Sequence, residues 1–273
     1  MGGKFRSLKS IIPNFCEHGD FYDVFTGGGT IHLNTETIKV YANDKNSIVI
    51  DLQKYLAEND PERIYKEVDR LRKYYKADDK DSTGYKELRN EYNKDKDILK
   101  LLTLSQHSFN YLIRFNQQGG FNASHGKGIS KLSQDYYEKL VNFKEQAERK
   151  ESEFYNEDFR DFLGNMDIKS GDLVYCDPPY LLSEAVYNEK RAYGGWVRKD
   201  TLDLLEELDK LNDRNVYFTL SEMIQSKGKE NKELIEWLNE KEYTVRYKNV
   251  KYLGVPSTHI EDKNSVEVLV TNY

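Results

Sequence analysis

The chain has 273 residues, of which 32% are charged, 38% hydrophobic and 13% aromatic, a balance that argues against intrinsic disorder and allows one large α/β domain, alone or carrying an insert. Its 41 Lys and Arg against 47 Asp and Glu give a formal charge of −6, so a hold on nucleic acid would need local segregation of charge. Two cysteines, Cys16 and Cys176, without a CxxC pair disfavour a disulfide scaffold and a cysteine-rich zinc site; no apolar run reaches the ~18 residues of a membrane span, MGGKFRSLKSIIPNF is too short in apolar residues for a secretory signal, and the expectation is a soluble cytoplasmic protein.

Residues 1–16 are free of acid and carry Lys4, Arg6 and Lys9, either a small basic arm or no more than solvated lysines. A first strand is expected over 21–25, rich in aromatic and β-branched residues. It runs into Thr26-Gly27-Gly28-Gly29-Thr30, placing Asp23 inside a strand and a glycine turn after it. Glycines allow φ > 0 and close approach of a ligand at the carboxyl end of a strand. The spacing is neither GxGxxG nor a P-loop, so alone it reads equally as a tight turn. The second strand, 39–43, ends on Asp44. An acid there is placed to accept ribose hydroxyls, or to form an Asx turn or helix cap.

From 60 to 97 the chain is dense in Lys, Glu, Asp and Tyr with helical spacing and no convincing strand, which reads as an inserted helical domain. Residues 98–134 contain no Asp or Glu but carry Lys100, Arg114, Lys127, Lys131, His107 and His125. The same island holds Phe109, Tyr111, Phe115 and Phe121 with Asn110, Asn116, Gln117, Gln118 and Asn122, residue types that stack on bases and pair with base edges.

The next strand, 173–176, runs directly into Asp177-Pro178-Pro179-Tyr180. Two prolines remove two N–H donors, keep their carbonyl acceptors and restrict the backbone on either side. An exocyclic amino group fits such a unit: the Asp177 carboxylate and Pro178 carbonyl can each accept one N–H, and Tyr180 offers a face for stacking. The plain alternative is a proline turn that ends a strand. Strands over 216–220, 243–247 and 266–271 and helices over 200–212 and 230–239 complete the alternation. Together they predict an α/β, Rossmann-like, doubly wound and mostly parallel sheet with the helical segment inserted.

With these motifs in this order, the chain resembles the Dam-like (D12 class) N6-adenine-specific DNA methyltransferases along essentially its whole length. The resemblance implies S-adenosylmethionine as cofactor, with no metal, and methyl transfer to N6 of a flipped-out adenine in a short double-stranded DNA site. It implies a catalytic domain over 1–56 and 136–273 and a target-recognition domain over 57–135. Gly3 and Lys4 resemble the element bordering the cofactor's methionine end; Asp23, Phe25, Gly27 and Gly28 match the cofactor loop; Asp44 matches the ribose acid; Asp158 and Phe159 resemble the pair at the cofactor's adenine. Asp177, Pro178, Pro179 and Tyr180 form the catalytic tetrapeptide, Asp177 also bordering the cofactor. DNA contacts are implied for Phe109, Asn110, Leu112, Arg114, Asn116 and Phe121, with Lys127 and Lys131 on the same island and Tyr187 similar to part of a Tyr-Asn pair of phage relatives. GATC-methylating members commonly carry Pro-Phe/Tyr-Gly and further basic residues where this chain has Ala123-Ser124-His125-Gly126-Lys127-Gly128, so the expected site is GATC or a related one. The resemblance leaves orphan, phage and restriction-modification roles open, and with them a restriction endonuclease partner. A methyltransferase for cytosine N4, an RNA base or a protein glutamine is the nearest rival; a catalytically idle DNA-binding module is the rival from another class.

Overall fold

The computed structural model describes residues 4–116, 118–126, 132–182, 195–226, 228–249 and 265–273. The chain divides into two compact units, one over Ile48–Arg149 and one built from Gly3–Ser47 and Lys150–Tyr273.

The second unit is organised by a sheet of β1 (Phe21–Asp23), β2 (Val40–Asn43), β3 (Glu153–Tyr155), β4 (Leu173–Cys176), β5 (Tyr217–Ser226), β6 (Lys229–Glu230), β7 (Thr244–Asn249) and β8 (Val266–Thr271). The spatial order is β3-β2-β1-β4-β5-β8-β7, with β6 paired to β5. Strands β1 to β5 run parallel, and β8 runs antiparallel to both β5 and β7. The expected doubly wound sheet is therefore present. Every residue of β1 and β4 is buried, as expected of central parallel strands covered on both faces. Chain order reverses between β1 and β4, the switch point at which such sheets open a crevice beyond their carboxyl ends.

One face packs against α7 (Phe159–Asn165), α8 (Arg198–Asp213) and α9 (Lys232–Glu240). Leu204, Leu205, Leu208 and Leu211 recur at helical spacing along α8 and are buried with Val174, Cys176, Phe218 and Val270, each such burial contributing about 1.5–3 kcal/mol. The other face, with Phe21, Val40, Leu173, Tyr175 and Leu269, is covered by Ile11, Ile31, Leu8 and Phe15 from the N-terminal turns, α1 (Leu8–Ile11) among them, and the loop after β1.

Strand β3 and the extension of β5 from 220 to Ser226 were not legible in the residue pattern. The first is three residues long, partly exposed and ends a helical stretch. The second carries Ser221, Glu222 and Gln225, polar residues that mask a strand whose pairing to β8 supplies its stability.

The other unit is helical: α2 (Ser47–Glu58), α3 (Pro61–Tyr75), α4 (Thr83–Asp95), α5 (Ile98–His107) and α6 (Gln134–Arg149). Asp60 and Asp97 cap α3 and α5, each accepting an N–H of the first turn, and Pro61 occupies a position where its missing donor costs nothing. Ile64 and Val68 of α3 pack with Leu102, Tyr136 and Leu140, while Tyr85, Leu88 and Tyr92 of α4 pack with Leu101, Leu104 and Phe121. The unit exceeds the segment 57–135 by one helix at each end, because α2 and α6 bury their apolar faces within it. Among the described residues no helix is long and apolar enough to cross a membrane.

Candidate active site

The site is assembled at the carboxyl ends of β1, β2 and β4. Strand β1 closes onto β4 through Val24 N–H to Tyr175 O (3.0 Å), and Thr26 N–H donates to Asn43 O at 2.8 Å, so the glycine turn leaves the sheet in a fixed direction. Gly27 and Gly29 have φ of +51° and +75°, a region costly to any residue with a Cβ. Gly28 is exposed, and a Cβ on Gly27 or Gly28 would meet nothing within 4 Å. Backbone here faces open space in a form only glycine adopts readily.

Asp44 closes the turn. Its Oδ2 accepts the Gly27 N–H at 3.0 Å and its Oδ1 the Asn46 N–H at 2.9 Å, and burial pushes its carboxyl above the usual range despite both bonds. The Asx turn and the ligand-facing acid expected as alternatives are thus compatible, since a carboxylate has acceptor sites for about four hydrogen bonds and two donors occupy it. Asn43 ties the neighbouring loops, donating to Val24 O and Glu157 O and accepting the Glu157 N–H. Asp23, by contrast, is 1% exposed. His32 Nδ1 lies 3.2 Å from its Oδ2 and 2.7 Å from Thr26 Oγ1, which makes Asp23 a support of the turn rather than a group facing a ligand.

Beside this turn stand three aromatic rings. Phe25 and Phe159 are 5.7 Å apart by centroid, and Trp196 lies 5.5 Å from each. Asp158 caps α7, accepting from Arg160 N, and binds Lys45 at 2.8 Å and the Arg160 guanidinium at 3.0 Å. Burial favours its protonated form, but these cations outweigh it and hold the carboxyl low. The Arg160 guanidinium rests 4.3 Å from the Phe159 centroid. Trp196 had no signal in the sequence beyond being one of two tryptophans.

The tetrapeptide follows β4. Pro178 is buried, and the Asp177 side chain is 18% exposed. Lys4 Nζ sits 3.1 Å from Asp177 Oδ1 and 3.1 Å from Ser221 Oγ; it also bonds the Tyr180 hydroxyl and the Glu267 carboxylate. The Tyr180 hydroxyl lies 2.5 Å from Glu267 Oε1, 3.2 Å from Asp177 Oδ1 and 3.3 Å from Ser221 Oγ. Burial pushes Asp177 up to about 6, partly offset by the Lys4 ammonium and reinforced by Glu267. Burial alone would lower Lys4, but its two carboxylates outweigh it and keep the ammonium charged. Glu267, pushed up by burial, is held below its usual range chiefly by Lys4. Ser221 and Glu267 escaped the sequence reading, although a lone acid in the otherwise apolar and Thr-ended run 266–271 was a usable signal.

The family model for D12 class N6 adenine-specific DNA methyltransferase matches residues 1–252. The chain belongs to this family. It is 36% identical to Type II methyltransferase M.FokI of Planomicrobium okeanokoites and 30% identical to Modification methylase StsI of Streptococcus sanguinis, in each case over 100% of this chain and 42% of the other. It is 28% identical to DNA adenine methylase of Escherichia coli (strain K12) over 68% of this chain and 65% of that protein. The chain therefore spans less than half the length of the first two relatives.

Within the family the helical segment invites comparison with the residues expected to touch DNA. Phe109 and Tyr111 are 58% and 61% exposed, Leu112 is 36% exposed, and Asn110 and Tyr111 both have positive φ, a strained turn held by Ser108 Oγ bonding Ser105 O and Leu112 O. Arg114 is braced: its Nε donates to Asn122 Oδ1 at 2.9 Å and its Nη2 to Asn122 O at 2.8 Å. Asn116 is exposed, yet its Oδ1 accepts the Gln118 and Gly120 N–H groups and shapes the turn. Phe121 departs from expectation. It is 1% exposed, packed 6.0 Å from Tyr92 and 5.7 Å from Phe115, so it belongs to the helical core and cannot stack on a base. Lys100, counted in the basic island, is paired with Asp95. Gly3, Lys127, Lys131 and Tyr187 lie outside the described residues.

Proposed function

We propose that the chain transfers a methyl group from S-adenosylmethionine to N6 of an adenine flipped out of a short double-stranded DNA site. The observation that carries this reading is the placement of Asp177, with Tyr180 and Lys4 about it, next to an open glycine turn closed by an acid, at the switch point of the sheet. The cofactor's fit is supported by the open backbone at Gly27 and Gly28, the residual acceptor capacity of Asp44 and the aromatic group of Phe25, Phe159 and Trp196. When bound, S-adenosylmethionine supplies an electrophilic methyl group on a sulfonium.

The chain's own groups then act on the amine. An adenine N6 lone pair is delocalised into the ring and is a poor nucleophile. The Asp177 carboxylate and the Pro178 carbonyl would accept its two N–H bonds, drawing the nitrogen out of conjugation and fixing its direction. Asp177 does this best when ionised, because a carboxylate is a stronger acceptor than the neutral acid. Lys4 stands beside it without consuming it, because the ammonium is shared with Glu267. Extruding the base costs a few kcal/mol, offset by contacts of the unstacked base with the site, Tyr180 included. In the helical segment Arg114 and the exposed turn of Phe109, Asn110 and Leu112 would supply the reading of sequence.

Incubation with tritiated S-adenosylmethionine and unmethylated duplex DNA, followed by nucleoside analysis, tests the proposal. Label in N6-methyladenine is the expected result. Label in N4-methylcytosine or in protein would assign the site to another planar amine, and no transfer at all would leave a DNA-binding module.

A further inference from the structure

Glu267 stands 263 positions from Lys4 in the sequence and is 6% exposed, yet it gathers three groups of the tetrapeptide site. It pairs with Lys4, accepts the Tyr180 hydroxyl at 2.5 Å and accepts the Ser221 hydroxyl at 3.0 Å. A buried carboxylate is costly unless paired and hydrogen-bonded, and here every partner is also a partner of Asp177 or its neighbour. Without Glu267, Asp177 would be the one carboxylate left to both the Lys4 ammonium and the Tyr180 hydroxyl among the contacts they make here.

We propose that Glu267 is a positioning residue of the methyl-transfer site: it draws off Lys4 and Tyr180 so that the Asp177 carboxylate stays available to the substrate amine. This rests on the function proposed above. The same carboxylate also repels the charge of Asp177 directly. Repulsion, sharing of Lys4 and sharing of Tyr180 all act in one direction, raising the proton affinity of Asp177 and with it its strength as an acceptor. The other titratable groups about Asp177 are Tyr175 and Cys176 on β4, Asp23 on β1 and Glu222 on β5, all of them buried. Burial pushes Tyr175, Cys176 and Glu222 toward their uncharged forms, and Lys4 and Glu267 are the paired charges in contact with the Asp177 group.

The test reads Asp177 itself. Carbon-13 NMR of protein labelled at the aspartate carboxyl, with the Asp177 resonance assigned by its loss in Asp177→Asn, follows its titration in wild type, Glu267→Gln and Glu267→Asp. The midpoint should fall by about one unit in Glu267→Gln, by less in Glu267→Asp, and rise in Lys4→Gln. An unchanged or raised midpoint in a folded Glu267→Gln protein overturns the proposal; should that variant not fold, an unchanged midpoint in Glu267→Asp does the same. The acid limb of the single-turnover methylation rate should move down with the NMR midpoint while the plateau drops roughly tenfold, whereas a drop with an unmoved limb marks a merely structural residue. Wild-type protein that titrates as described but methylates nothing sinks the proposed function and leaves the Glu267–Asp177 coupling standing.

Discussion

Asp44 accepts the Gly27 N–H at 3.0 Å, so the acid at the end of β2 holds the glycine turn at the end of β1. The two features that pointed separately to a nucleoside are one physical unit, with the carboxylate as its keystone and two of its acceptor sites left over.

Replacing Asp44 by Ala should therefore loosen the turn and, on the proposed function, remove an acceptor for the cofactor's ribose. S-adenosylmethionine affinity should weaken about 10- to 100-fold, the ~1.5–3 kcal/mol of hydrogen bonds to a charged group. Asp44→Asn keeps one acceptor oxygen and should fall between. Calorimetry on the three proteins measures this, and an unchanged dissociation constant in Asp44→Ala would reduce Asp44 to an Asx turn.

Asp177→Ala should abolish methyl transfer while cofactor affinity stays within a few-fold, because the proposed role of Asp177 is on the amine. In wild type the single-turnover rate should fall as pH drops through about 6, the value to which burial raises this carboxyl, since the ionised form is the stronger acceptor. A rate flat from pH 8 to 5 contradicts this assignment.

The same raised value has a consequence for stability with a definite sign. A folded-state affinity for the proton above the unfolded one means that folding is favoured while Asp177 is protonated, and this favour is lost as pH rises from about 4 to about 6. Above that window the wild type carries the full burden of a desolvated carboxylate. Asp177→Asn should thus melt higher than wild type at pH 7.5, by an equivalent of about 1–3 kcal/mol, with the gap closing toward pH 4. Equal melting temperatures at both pH values would show that Lys4 fully compensates the charge.

Arg114 is held by Asn122 along one edge of its guanidinium, through Nε and Nη2, and on the proposed function its Nη1 side would pair with guanine O6 and N7. Arg114→Ala should relax specificity at one base pair, worth roughly 1–3 kcal/mol of discrimination, and Asn122→Ala should relax the same position more weakly by unlocking the guanidinium. Mapping N6-methyladenine in DNA modified by each protein decides the matter. An identical motif with uniformly slower methylation would make Arg114 a phosphate clamp.

Phe109 and Phe121 should part company under mutation. Phe121→Ala removes a buried ring from the helical core and should cost about 3–5 kcal/mol of stability in denaturant titration. Phe109→Ala changes an exposed side chain and should stay within about 0.5 kcal/mol. Similar losses for both would place Phe109 in a packed environment that its exposure denies.

The residue pattern alone specified the alternating strands and helices, the glycine turn after β1, the acid after β2, the proline turn after β4 and the helical character of the insert. Each of these is a short-range property: glycine alone takes positive φ without cost, proline restricts its neighbours, and apolar residues repeat with the period of the element that buries them. Tertiary structure alone decided which residues gather at Asp177. Lys4, Ser221 and Glu267 come from the first turn, the middle of β5 and the last strand, and no local period encodes a meeting made by sheet order. It also decided the opposite fates of two phenylalanines in one island, exposing Phe109 and burying Phe121. A ring's chemistry suits a base or a core equally well, and the packing of Tyr92 and Phe115 around one of them is what distinguishes the two.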